Sequence, residues 1–226
     1  MALKKTGAIS EPVVTIALND IYSNQTDIDR SYMGTLTFGG SIEGTTAGKK
    51  FDHHNALDRT VGAWELPMSK LRIGDTHVMA DSFVVFDPMA LWLVPNATDW
   101  QSYKLEFTKA STDFVCKSFL GTEMCASTVS DCSKYYDALP TITYVVDYTE
   151  FVVPPQAYTY SQPNMIEPQL FPNKTTFCMI EIYPWANEET VFGEPFFTQY
   201  SVQFNYEKST IGFALNASAA PGSLLK

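Results

Sequence analysis

Val84-Val85-Phe86-Asp87-Pro88-Met89-Ala90-Leu91-Trp92-Leu93-Val94-Pro95 is the stretch that decides how this chain folds. An apolar run leads into a single aspartate, and a second apolar run comes after it. A carboxylate set between two buried strands is costly unless it is hydrogen-bonded or has a chemical task. Pro88 removes a backbone N–H and fixes φ, and Met89 sets a bulky side chain beside the acid.

Outward from that stretch, the composition is that of a folded protein. The chain has 226 residues, of which 45% are apolar and 18% charged. That is enough for one large domain or two small ones with a sizeable core. No apolar run approaches the roughly 18 residues needed to span a bilayer. Fifteen Lys and Arg against 25 Asp and Glu give a formal charge of −10. This sign argues against nucleic acid or an anionic membrane surface as the partner.

Four cysteines occur, Cys116, Cys125, Cys132 and Cys178. They form no Cys-x-x-Cys and match no common zinc spacing, so disulfides are the better reading, with three connectivities open. Four Asn-x-Ser/Thr sequons lie at Asn24, Asn96, Asn173 and Asn216. Together these features favour a secretory origin. The stretch Met1-Ala2-Leu3-Lys4-Lys5-Thr6-Gly7 has charges but no apolar core of a signal peptide behind it. The expectation is therefore a leader encoded upstream, with this chain a fragment or processed piece.

Short alternating or apolar segments, punctuated by Gly, Pro, Asn and Asp, predict a mainly β protein. Strands are expected over 13–21, 32–38, 62–73, 78–85 and 91–94. Trp100, Tyr103 and Phe107 recur at helical spacing, which predicts a helix over 99–109 capped from the Asn-x-Thr-Asp region. A hairpin is expected from 141–146 and 150–153, and a buried strand over 177–183. Segments 196–200, 202–205 and 211–215 complete the sheets. The polar region 114–137, holding three cysteines, reads as loop-rich. Residues 158–172 read as an exposed loop, and 217–226 as a tail.

The order of short motifs then resembles a known family. Gly7-Ala8-Ile9-Ser10, Gly34-Thr35-Leu36-Thr37-Phe38-Gly39-Gly40 and Gly62-Ala63-Trp64-Glu65-Leu66 precede the Asp87 stretch. Leu139-Pro140-Thr141-Ile142, Val153-Pro154-Pro155-Gln156-Ala157-Tyr158 and Phe192-Gly193-Glu194-Pro195-Phe196-Phe197 come after it. Tyr200-Ser201-Val202-Gln203-Phe204-Asn205 and Ile211-Gly212-Phe213-Ala214 close the series. In this order and spacing they resemble the C-terminal lobe of pepsin-like (A1) eukaryotic aspartic proteases over nearly the whole chain. The resemblance implies an acid-protease fold. One pepsin-like lobe of antiparallel sheets with a few short helices would span 13–215. An inter-lobe linker-like segment over 1–12 would precede it, and a tail over 216–226 would end the chain. It also implies a Cys132–Cys178 disulfide, which leaves Cys116 with Cys125.

The family's chemistry needs two carboxylates sharing one proton, one from each lobe, under a flap from the N-terminal lobe. This chain resembles only one lobe. Asp87 stands at the family's catalytic position, but Pro88 and Met89 replace the Thr/Ser and Gly that come next there. No Asp-Thr-Gly or Asp-Ser-Gly occurs anywhere. The expectation is an inactive Asp87 and a non-catalytic, protease-like glycoprotein lobe that acts by binding or as a structural subunit. Its partner would be another protein chain or an N-terminal lobe covering the inter-lobe face. The alternative is the C-terminal half of an active aspartic endopeptidase, paired with a separate N-terminal lobe. Either would belong to the secretory pathway, outside the cell or in a lysosome- or vacuole-like compartment.

Other candidates are weaker. Asp52-His53-His54 invites a metal, but adjacent residues of an extended chain point to opposite faces, and His77 has no obvious partner in sequence. No metal and no cofactor is expected. Trp64, Trp92, Trp100 and Trp185 read as core. No Gly-x-Ser-x-Gly and no phosphate-cradling Gly-rich loop is present.

Overall fold

A computed structural model describes residues 2–19, 34–40, 50–57, 63–78, 81–119, 121–127, 129–163, 176–184 and 189–226. The described residues build three sheets and a few short helices, a mainly β architecture that agrees with the sequence. The five-stranded sheet runs in the order Gly34–Phe38, Val13–Leu18, Tyr200–Asn205, Thr210–Leu215, Asp52–Asn55, every pair antiparallel. The seven-stranded sheet runs Thr190–Phe192, Ser82–Phe86, Glu65–Ile73, Ile142–Val146, Thr149–Val153, Leu224–Leu225, with Thr76–Val78 also on Glu65–Ile73. The four-stranded sheet runs Thr159–Pro163, Thr176–Ile180, Thr122–Ser127, Phe114–Phe119. No helix among the described residues is long and apolar enough to cross a membrane.

Aromatic rings join the first two sheets. Phe86 and Phe151 of the seven-stranded sheet lie 5.1 and 4.9 Å, ring centre to ring centre, from Phe213 of the five-stranded one. Phe192 and Phe196 stack at 4.4 Å within the same cluster. All five are buried, and tilted or edge-on ring pairs add to the gain from removing their area from water. The helix Trp100–Ala110 lays Trp100, Tyr103 and Phe107 into this core. There the Tyr103 and Tyr144 hydroxyls meet at 2.9 Å. Burial pushes both phenols well above their ordinary range.

The Ile142–Val146/Thr149–Val153 hairpin turns at Asp147 and Tyr148, with φ of +43° and +68°. A two-residue turn with both φ positive matches the twist of paired strands. From the edge of the five-stranded sheet, buried His54 reaches this turn. Its Nδ1 lies 3.0 Å from Asp147 Oδ2, and its Nε2 lies 3.3 Å from Asp52 Oδ2 and from Thr149 Oγ1.

Several expectations from sequence are corrected. Phe196 and Phe197, expected to begin the sheet segment 196–200, belong instead to the helical turn Glu194–Phe197, because Gly193 and Pro195 open a helix that the aromatic pair disguises. Within the region 114–137, the described residues form a hairpin, Phe114–Phe119 with Thr122–Ser127, and a 3₁₀ turn at Cys132–Tyr135. Thr159–Pro163 pairs with Thr176–Ile180, so this part of the expected loop is an edge strand; residues 164–172 lie outside the described ones. Among the described residues, the segment 91–94 makes two isolated bridges rather than a strand, Leu93 with Ile182 and Val94 with Val191. Asp99 does not cap its helix through its side chain. Instead Asn96 Oδ1 accepts from the Thr98 N–H at 2.9 Å and the Thr98 hydroxyl at 3.0 Å.

The expected tail is also woven into the fold. Leu224–Leu225 pairs with Thr149–Val153. Gln199 Oε1 accepts from the Ala220 N–H at 2.7 Å and the Ser223 hydroxyl at 2.8 Å. The buried Tyr200 hydroxyl lies 2.8 Å from the Val152 carbonyl and 2.7 Å from that of Leu224.

Both disulfides have the pairing that the resemblance implies, Cys132–Cys178 and Cys116–Cys125. Cys116 and Cys125 stand directly opposite each other in the hairpin. The first bridge spans 46 residues and the second 9. Loop-closure entropy then assigns about 4 kcal/mol to the first and about 2.5 kcal/mol to the second. Urea titrations of C132S/C178S and C116S/C125S are expected to show the larger loss in the first.

Candidate functional site

The Asp87 turn is built where two strands end side by side. Ser82–Phe86 is antiparallel to Glu65–Ile73 on one flank and parallel to Thr190–Phe192 on the other. Flanked on both edges, the strand buries Val84 and Phe86 almost completely. The Asp87 N–H donates to the Phe192 carbonyl at 3.1 Å, extending the parallel pairing by one bond. The chain then reverses. The Ala90 N–H donates to the Asp87 carbonyl at 3.1 Å, closing a four-residue turn with Pro88 in the second place. Proline suits that place because its φ is already fixed near the required value.

The carboxylate is half-buried and is used locally. Asp87 Oδ1 accepts from the Met89 N–H at 2.9 Å, the bond that lets aspartate stabilise its own turn. Among the described residues, neither oxygen has an ion pair or any other hydrogen bond. Beside it, Met89 is 84% and Leu91 53% exposed, so the rim of the turn is apolar.

Gly193 locks the turn to the strand end. A Cβ there would lie 2.2 Å from the Trp92 carbonyl oxygen and 2.3 Å from that of Ala90. Only glycine allows this approach, and the same Ala90 carbonyl accepts from the Glu194 N–H at 2.8 Å. Beyond it, the Leu93 N–H donates to the Glu181 carbonyl at 3.0 Å and Val94 exchanges both backbone bonds with Val191. Trp92 packs on Tyr183 at 4.3 Å between ring centres, over the smaller apolar cluster of the four-stranded sheet. Sequence reasoning sets Gly193 within a motif but gives it no part in the site. Its role depends on residues a hundred positions away.

Chemically, the turn offers one carboxylate with one oxygen committed. A shared-proton dyad needs a second carboxylate close by, whose like charge keeps one of the two protonated. The described residues place no second acid in hydrogen-bonding contact with Asp87. The histidines divide as the extended chain dictates: His54 is buried on the sheet's inner face, and His53 is exposed on the other. Partial burial and nearby Lys208 lower the pKa of His53. No group of three or more His, Cys, Asp or Glu among the described residues is arranged to hold a metal ion.

The sequons differ in setting. Asn24, Asn173 and also Trp185 lie outside the described residues. Asn96 is half-buried at the turn before the helix Trp100–Ala110. Asn216 is 3% exposed. Its Nδ2 donates to the carbonyls of Phe197 at 2.9 Å and Thr198 at 3.0 Å, and its Oδ1 accepts from the Ser201 hydroxyl.

A sequence model of the family described as eukaryotic aspartyl protease matches residues 2–216. The chain therefore belongs to that family, and its mainly β architecture is consistent with a pepsin-like lobe. No curated protein matches it.

The turn's construction sets expected outcomes in chemical denaturation. Asp87→Asn keeps a side-chain oxygen for the Met89 N–H and is expected to change stability by less than about 0.5 kcal/mol. Asp87→Ala removes that bond and is expected to cost about 1 kcal/mol. Gly193→Ala forces two backbone carbonyls aside and is expected to cost about 3 kcal/mol or more.

Proposed function

We propose that this chain is a non-catalytic member of the aspartyl protease family, a pseudopeptidase lobe that acts by binding or as a structural subunit of a larger assembly. One observation carries the reading. The loop that would present a catalytic carboxylate is a self-satisfied turn: Pro88 fixes it, the Met89 amide occupies Asp87 Oδ1, and Gly193 clamps it from behind. The hydroxyl that would bind a facing loop and the glycine that would let a backbone approach the acid are both replaced, by Pro88 and Met89. The exposed Met89 and Leu91 suit a partner surface better than a water-activating cleft.

On this reading the partner is another protein chain or an N-terminal lobe, and the chain is a disulfide-bonded glycoprotein of the secretory pathway. Two disulfides suit an oxidising compartment, and the sequons supply the glycan sites. Of the two described, Asn96 is the less enclosed. Asn216 has both its amide hydrogens engaged with backbone carbonyls, so the folded protein offers it no sugar-bearing geometry. The second reading is the C-terminal half of an active endopeptidase that pairs with a separate N-terminal lobe. It is favoured by the retention of Asp87 itself, with Oδ2 free of hydrogen bonds among the described residues.

A proteolysis assay on the purified chain separates the two. Unfolded protein substrate is incubated at acid pH, with and without a peptide inhibitor of aspartic proteases. No inhibitor-sensitive cleavage is expected, alone or with a candidate N-terminal lobe added; inhibitor-sensitive cleavage lost in Asp87→Asn would overturn the non-catalytic reading. Peptide mass spectrometry of secreted material, before and after deglycosylation, is expected to find Asn216 unmodified.

A further inference from the structure

We propose that the outer face of the seven-stranded sheet carries a binding groove for a small amphiphilic anion, an oxyanion head joined to a short apolar body. The groove encloses about 330 Å³ and is lined by Lys70, Arg72, His77, Thr143, Val145 and Glu150, with Val78 beside them. Strand register explains why these side chains converge. Arg72 is directly opposite His77 on one side and Thr143 on the other. Lys70 is opposite Val145, which is opposite Glu150. Residues two apart on a strand share a face. The three basic residues therefore cluster on one side, Val145 lies between, and Glu150 stands at the far end.

Among the described residues, the cations of this cluster form no ion pair. Lys4, Lys104 and Lys109 are each ion-paired, at 2.6 Å, with Glu207, Glu123 and Glu106. Lys70 and His77 form no ion pair or side-chain hydrogen bond among the described residues. Arg72 donates only to Thr143 Oγ1, at 3.2 Å. Thr143 is 3% exposed, so this bond steers a guanidinium against a fixed point while leaving most of its donors unused. A planar guanidinium so oriented suits a carboxylate or similar oxyanion. In a chain of formal charge −10, such a basic cluster is a local inversion of sign.

The rest of the groove limits the body attached to that head. Val145 is half-buried and offers apolar surface on this face. Glu150 repels a second negative charge at the far end, which disfavours dianions with separated charges and leaves a one-headed ligand. No residue of the Asp87 turn takes part, so this inference does not depend on whether the family's chemistry survives.

The test titrates the full chain at low ionic strength with hexanoate, acetate and hexylammonium, reading the backbone amides of Thr143 and Val145 by NMR. Hexanoate is expected to saturate and to bind about tenfold or more tightly than acetate, because only it covers Val145. It is expected to weaken as salt is added, and hexylammonium is expected to leave these amides unmoved. K70Q/R72Q is expected to weaken hexanoate about tenfold or more. E150Q, which leaves both fixed cations in place, is expected to tighten it about two- to threefold. The proposal is overturned if hexanoate produces no saturable shift at these amides, or if hexylammonium binds as well as hexanoate. It is equally overturned if K70Q/R72Q retains the native spectrum and unchanged affinity. Should that double variant fail to fold, unchanged or weaker binding by E150Q overturns it instead.

Discussion

The ring of Phe86 touches those of Phe192, Phe196 and Phe213. Those contacts fix the end of one strand against a parallel neighbour, a helical turn and the opposite sheet at once. Everything distinctive about the site hangs on this anchorage. Asp87 is the next residue, so its backbone direction is set by the buried ring before it. Glu194–Phe197 then carries Phe196 into the same cluster, which brings Gly193 against the carbonyls of Ala90 and Trp92. The turn is thus held from its stem by aromatic packing and from its side by a backbone approach. One oxygen of its carboxylate is held by the Met89 amide.

Much of this fold was legible because its signals are local. Trp100, Tyr103 and Phe107 mark one helical face, and the alternation through Leu66, Met68 and Leu71 marks a half-buried strand. The two disulfides came from a family resemblance, since spacing alone leaves three pairings open. The failures share a cause, which is that the stabilising partner is distant in sequence. Phe196-Phe197 looks strand-like until the helix-opening Gly193 and Pro195 are weighed with the pocket that receives the rings. Leu224–Leu225 is preceded by polar, turn-forming residues, and it is ordered only by pairing with Phe151 and Val152. At the site, the position of Asp87 was readable and its environment was not. The Asx bond depends on where Pro88 sends the chain, and the clamp depends on Gly193.

Buried polar groups show the same dependence on distant partners. Gln199, Ser201, Asn216 and Ser223 are all inaccessible, and they connect the last two long strands to the segment beyond them. Desolvated amides are costly when unpaired, so this network specifies one arrangement of the final residues rather than merely tolerating it. Asn216 belongs to a sequon, and its side chain serves as a bracket between Phe197, Thr198 and Ser201.

The short closing strand also has a consequence for how copies of the protein behave toward each other. An open sheet edge exposes a row of unused N–H and C=O groups, a template on which another chain can add a strand. Leu224–Leu225 covers that edge beside Thr149–Val153, exchanging both backbone bonds between Lys226 and Glu150. Where Leu224–Leu225 lies, the edge of Thr149–Val153 is closed to a strand added from another copy of the chain.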